Sequence, residues 1–125
     1  IGGSATGKTC LFEMTCNGSN KKPIGKYVAS GGAKNGRKKI ELPANEQDVY
    51  LDIWDTPGAE QFQQLNRMYL RDAAAAVILY DVTSPDSLQH AENWLKQIRE
   101  YAPSEICIVA AGNKADATGQ HAVNL

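Results

Sequence analysis

Two uninterrupted apolar runs, residues 73–80 and 106–111, flank a capped helical pattern and limit this chain more than any other feature. The first run has the β-branched Val77 and Ile78 at its centre and turn residues after it, so it reads as a strand buried on both faces. The second, closed by Gly112, reads the same way. Between them Ser84 is placed as an N-cap, Pro85 at the first helical position and Asp86 at the positive end of the helix dipole. Leu88, Ala91, Leu95, Ile98 and Tyr101 then form one apolar stripe that ends at Pro103. Apolar strands alternating with helices predict an α/β fold, a doubly wound and mostly parallel sheet with helices on both faces.

The rest of the chain extends that alternation. Residues 8–17 predict a helix with Leu11, Phe12 and Met14 as candidate core and Gly18 as its stop. Residues 18–36 read as a glycine- and lysine-rich loop leading to an edge strand, and 49–54 as a strand with one buried face. Residues 60–72 suit a helix through Phe62, Leu65, Met68 and Tyr69. A length of 125 residues fits one domain spanning 1–125. An eight-residue apolar run is far short of the ~20 that a membrane span needs.

Charge and cysteine usage narrow the function classes. The formal net charge is −1, yet Lys21, Lys22, Lys26, Lys34, Arg37, Lys38 and Lys39 cluster where no Asp or Glu occurs between Glu13 and Glu41. A solvated edge strand guarded by lysines explains this better than an anionic partner. Only Tyr27 interleaves with the cations, which argues against nucleic acid. Cys10, Cys16 and Cys107 lack metal-ligand spacing and read as small buried hydrophobes of a reducing, cytoplasmic compartment. Trp54 and Trp94 read as core, and His90 and His121 as surface residues.

Three loops at strand ends carry the chemistry. Gly2-Gly3-Ser4-Ala5-Thr6-Gly7-Lys8-Thr9 satisfies G-x-x-x-x-G-K-[ST], a turn whose backbone N–H groups cradle phosphate ahead of a helix N-terminus. Lys8 suits the β- and γ-phosphates, and the Thr9 hydroxyl suits Mg²⁺. Asp55-Thr56-Pro57-Gly58 follows the 49–54 strand, with a carboxylate for Mg²⁺ at Asp55 and an N–H for phosphate at Gly58. Asn113-Lys114-Ala115-Asp116 follows the last strand, and the Asp116 carboxylate matches the paired N1–H and 2-amino donors of guanine, which adenine lacks.

Together these loops resemble the small Ras-superfamily GTPases of the Rab-like branch, as do W-D-T-P-G-A-E-Q-F at 54–62 and L-Y-D-V-T-S-P-D-S-L at 79–88. The resemblance covers nearly the whole chain. It implies the P-loop fold of a small G-protein domain, GTP or GDP with Mg²⁺, and slow or partner-dependent hydrolysis. It assigns Gly2, Ser4, Ala5, Thr6, Gly7, Lys8, Thr9, Cys10 and Gly58 to the phosphates. Asn113, Lys114 and Asp116 go to guanine, and Thr9, Ser30 and Asp55 to the metal. Ser30 enters through Tyr27-Val28-Ala29-Ser30-Gly31-Gly32; the competing placement on Pro23 would have no hydroxyl there.

A narrower likeness is to the Rab-like subunit of the intraflagellar transport B complex. It rests on the 25-residue separation of Ser30 and Asp55, on Pro43, and on the tail N-K-A-D-A-T-G-Q-H-A-V. It implies a small β-sandwich partner subunit, other subunits of that complex, and a ciliary or flagellar location. A Rab on vesicle membranes is the alternative. Two departures stand out. The family's water-positioning glutamine is Ala59 here, with Gln61 two positions on, and Pro57 replaces a usual alanine. The pattern also calls for a strand before Ile1 and for a strand and helix after Leu125, so the residues are expected to be part of a longer chain.

Overall fold

The computed structural model describes residues 1–18, 32–43, 47–59 and 63–117. In chain order it has α1 (Lys8–Asn17), β1 (Lys34–Ile40), β2 (Val49–Asp55), α2 (Gln63–Leu70), β3 (Ala75–Asp81), α3 (Pro85–Tyr101) and β4 (Cys107–Asn113). Gly18, left-handed at φ 62, stops α1 as expected, and its N–H donates to the Met14 carbonyl.

The core lies where α3 packs on β3. Ala76, Ile78 and Tyr80 alternate along β3 and meet Ala91, Trp94 and Ile98, with Leu70 and Val82 completing the cluster. Ile98 is fully buried, a contribution of about 1.5–3 kcal/mol for one such side chain. The buried face of α3 runs through Ser87, Ala91, Trp94 and Ile98. The predicted stripe is therefore rotated: Trp94 rather than Leu95 is its large anchor, and Leu88 is exposed. Ser84 sits at the N-cap without a side-chain cap bond.

β3 and β4 pair in parallel, from Ala75 opposite Cys107 to Asp81 opposite Asn113. Ile1 and Gly2 run along the other edge of β3, where the Leu79 N–H donates to the Ile1 carbonyl at 2.8 Å and Gly2 bridges Leu79 in parallel. β1 and β2 pair antiparallel, Lys34 opposite Asp55. This is the antiparallel minority that a mostly parallel sheet allows: residues 41–48 are too few for a crossover, so the chain must reverse. Among the described residues the strands thus form two two-stranded sheets.

Several burial expectations fail, some of them beside one cavity. Val77, Val109, Val49 and Leu51 are exposed, as are Leu11, Met14 and Met68. A cavity of about 610 Å³, lined by Leu11, Phe12, Leu51, Ile53, Trp54 and Val77 among others, separates β2 from β3. Apolar sequence says that a face can be buried; a second packed layer has to bury it. Trp54 is half exposed and stacks on Tyr69 at 4.9 Å instead of entering the core, and Cys107 is exposed while Cys10 and Cys16 are half-buried. The basic strand is largely neutralised, Lys34 by Glu13, Arg37 by Asp52 and Lys39 by Asp48. Phe62, Ser30, Gln61 and His121 lie outside the described residues.

Candidate functional site

The first loop alternates its handedness. Ala5 has φ 59 and Gly7 φ 97, so successive backbone N–H groups turn toward one centre, the geometry of an anion nest. Thr6, nearly fully buried, braces the loop by donating its hydroxyl to the Gly3 carbonyl at 3.1 Å. The first ladder bond of α1 is Leu11 N–H to Gly7 carbonyl at 3.0 Å, which leaves the earlier amides of that turn, as far as Cys10, to other acceptors. Lys8 curls back and donates to the Gly3 carbonyl at 2.5 Å. Burial pushes its pKa down, and the nearby Asp55 carboxylate opposes that shift. A half-buried ammonium hydrogen-bonded to a neutral carbonyl is suited to an anion.

Asp55 ends β2, buried, and its Oδ2 accepts the Thr9 hydroxyl at 2.6 Å. Its Oδ1 is buried without a hydrogen-bond partner among the described residues. An orphaned carboxylate oxygen beside a hydroxyl oxygen is a donor set that fits Mg²⁺, so Thr9 and Asp55 could hold that ion. Ser30, the third residue assigned to it, lies outside the described residues. Bound there, the ion would neutralise phosphate charge.

The D-T-P-G turn closes directly on the phosphate loop. A Cβ at Gly58 would meet the Lys8 ammonium and stand 2.6 Å from the Gly3 carbonyl oxygen, so only glycine fits this approach. Asn66, fully buried on α2, holds the turn by donating to the Pro57 carbonyl at 3.1 Å. Ala59 lines a cavity of about 230 Å³ with Gly3, Ser4, His90 and Asn93, and brings only a methyl group to it.

The third loop is tied to the first. The Asn113 amide at the end of β4 donates to the Thr6 carbonyl at 2.8 Å, across 107 residues of sequence. Lys114, left-handed at φ 65, reaches back to Asp81 Oδ2 at 2.5 Å. Asp116 is exposed on the turn closed by the Ala117 N–H on the Lys114 carbonyl. Structure thus brings Lys8, Thr9, Asp55, Gly58 and Asn113 around one loop. Sequence reading overlooked Asp81 and Asn66. Asp81 was reachable, because parallel strands that end together place their last residues side by side.

A nest ahead of a helix, a carboxylate ending a later strand and an Asn-Lys-x-Asp loop tied back to the nest define an α/β domain of the P-loop class. The chain belongs to the Ras family, whose pattern it matches over residues 1–125. It is 38% identical over 123 residues to the GTP-binding protein ypt4 of Schizosaccharomyces pombe, covering 98% of this chain and 52% of that one. It is 37% identical over 123 residues to the Ras-related protein Rab-26 of Rattus norvegicus, covering 98% and 46%. Against the Ras-related protein Rab-21 of Mus musculus it is 37% identical over 125 residues, covering 100% and 54%. The chain spans about half the length of these relatives. These three relatives are Rab or Ypt proteins by name, and they lend no support to the ciliary subfamily.

Proposed function

We propose that this chain carries the guanine-nucleotide site of a Rab-type switch that regulates vesicle traffic on internal membranes. In this reading GTP and Mg²⁺ set the shape of a protein-binding surface, and hydrolysis without a partner is slow. One observation carries the proposal: the third loop is fastened to the phosphate loop through Asn113 and Thr6, so base and phosphate recognition form one site. Lys8 and the loop amides would bind the phosphates, Thr9 and Asp55 the metal, and Asp116 the guanine edge. Likeness to Rab and Ypt proteins supports the membrane-traffic setting. Among the described residues no helix is long and apolar enough to cross a membrane.

Ala59 favours a second reading, in which a ciliary transport complex uses the GTP-bound form as a scaffold. A chain that turns GTP over slowly suits a lasting subunit better than a fast cycle. One purification from ciliated cells separates the two. GTP recovered with a stable β-sandwich partner supports the complex subunit, and GDP recovered with a membrane-bound pool supports the vesicle switch. Guanine selectivity is tested by Asp116→Asn, which turns one acceptor into a donor facing the 2-amino group and should weaken GTP and GDP at least a hundredfold, about 3 kcal/mol. Equal competition by ATP and GTP for the unsubstituted protein would overturn the assignment.

A further inference from the structure

The geometry points to Asp81 as a positioning residue for the base-binding loop, acting through Lys114. The inference rests on the guanine-nucleotide reading above and adds a residue outside the three motifs. Asp81 ends β3 opposite Asn113 in the parallel register. Its side chain is 13% exposed, while that of Lys114 is 40% exposed. One carboxylate oxygen, Oδ2, holds the Lys114 ammonium at 2.5 Å. The other, Oδ1, accepts the Thr83 N–H at 2.9 Å and the Thr83 hydroxyl at 2.6 Å. Its backbone N–H donates to the Ser87 hydroxyl of α3 at 2.7 Å, and the next N–H, that of Val82, donates to the Asn113 carbonyl at 3.1 Å.

This residue therefore joins the end of β3, the turn into α3 and the loop after β4. Lys114 needs such an anchor. Its left-handed φ of 65 is a strained conformation that lysine rarely adopts. Its ion pair with a largely buried carboxylate opposes that strain. Asn113 is fastened to Thr6 and Lys114 to Asp81, so the residues on either side of that peptide are held by different elements. Asp116, two residues on, inherits its position from this pair of ties. Asp81 carries no contact to the phosphate loop itself among the bonds described, so its influence should be felt by the base and not by the phosphates.

Asp81→Asn is the informative substitution, because the amide oxygen still accepts from Thr83 while the charge that holds Lys114 is lost. On the full-length protein, release of a fluorescent GDP analogue should accelerate about tenfold, as expected for weakening a hydrogen bond between charged groups. Affinity of the nucleotide-free protein for inorganic triphosphate should stay within about twofold. In a Lys114→Met background the same substitution should add less than about twofold to release. Thr83→Val, which leaves the lysine pair in place, should lower thermal stability and leave GDP release near its original rate. Unchanged release in Asp81→Asn overturns the inference, as does an equal loss of triphosphate and GDP, or the full tenfold effect in the Lys114→Met background. If the unsubstituted protein binds no guanine nucleotide, the functional reading falls and this inference with it.

Discussion

Gly7 offers the sharpest test of the site's geometry. It caps α1 at φ 97 and ψ 14, and a Cβ there would collide with the Asn113 amide nitrogen that donates to Thr6. Gly7→Ala has two separable penalties. The left-handed backbone costs alanine about 1–2 kcal/mol. Displacing the Asn113 amide forfeits about 0.5–1.5 kcal/mol of hydrogen bonding. Alanine also restricts the unfolded chain, which returns about 0.4–1 kcal/mol, and the net loss is about 0.5–3 kcal/mol. Gly18 is the control: it is left-handed too, at φ 62, but its Cβ would meet nothing within 4 Å. Urea unfolding of the nucleotide-free protein should therefore show Gly18→Ala losing only the backbone part. In an Asn113→Ala background the Gly7→Ala penalty should shrink by about 1 kcal/mol. Equal penalties at Gly7 and Gly18, or no shrinkage, would refute the claim that the two loops meet at Gly7.

Lys8 links the site to pH. Burial lowers its pKa in the folded protein, so the unfolded chain binds more protons between that value and 10.5, and stability without nucleotide should rise with pH across this window. Phosphate binding recharges the amine, and calorimetry in buffers of different ionisation enthalpy should detect proton uptake at alkaline pH; no uptake would mean that Lys8 stays charged throughout. Asp55→Asn should abolish the Mg²⁺ dependence of nucleotide affinity and leave metal-free binding within about threefold, whereas a retained Mg²⁺ response would remove Asp55 from the metal set. Ala59→Gln should speed single-turnover GTP hydrolysis from at or below roughly 10⁻⁴ s⁻¹ with little change in GTP affinity, and fast hydrolysis by the unsubstituted protein would show that another residue positions the water.

What the sequence made legible was whatever depends on local chemistry. The phosphate loop, the stop at Gly18 and the Pro85 helix start rest on φ preferences and missing donors, which a few adjacent residues determine. Burial was less legible, because it depends on what another layer does. Val77 and Val109 carry strand-core residue types and stand exposed, while Asn66, polar by type, is fully buried beside the D-T-P-G turn. Residue type marks Trp94 as core but not as the helix's central anchor, since a tryptophan and a leucine one residue apart are equally good candidates until the helix docks. The Asp81–Lys114 tie is only half legible: the two parallel strand ends can be placed side by side from sequence, but the register that sets Asp81 opposite Asn113 and the lysine's reach to it are fixed by the fold.

The bond between Asn113 and Thr6 has a consequence during synthesis. Its partners are separated by 107 residues, so the phosphate loop leaves the ribosome long before the residue that fastens the base loop to it. At about 5–20 residues per second the delay is roughly 5–20 s, far longer than helix or turn formation needs. Throughout that interval α1 and its loop exist without the element that completes the pocket. A nascent chain halted before Asn113 should not retain GDP. Nucleotide capture would then wait on the late-made Asn113 rather than on the early phosphate loop, and a cell short of guanine nucleotide would first leave newly made chains, not old ones, empty.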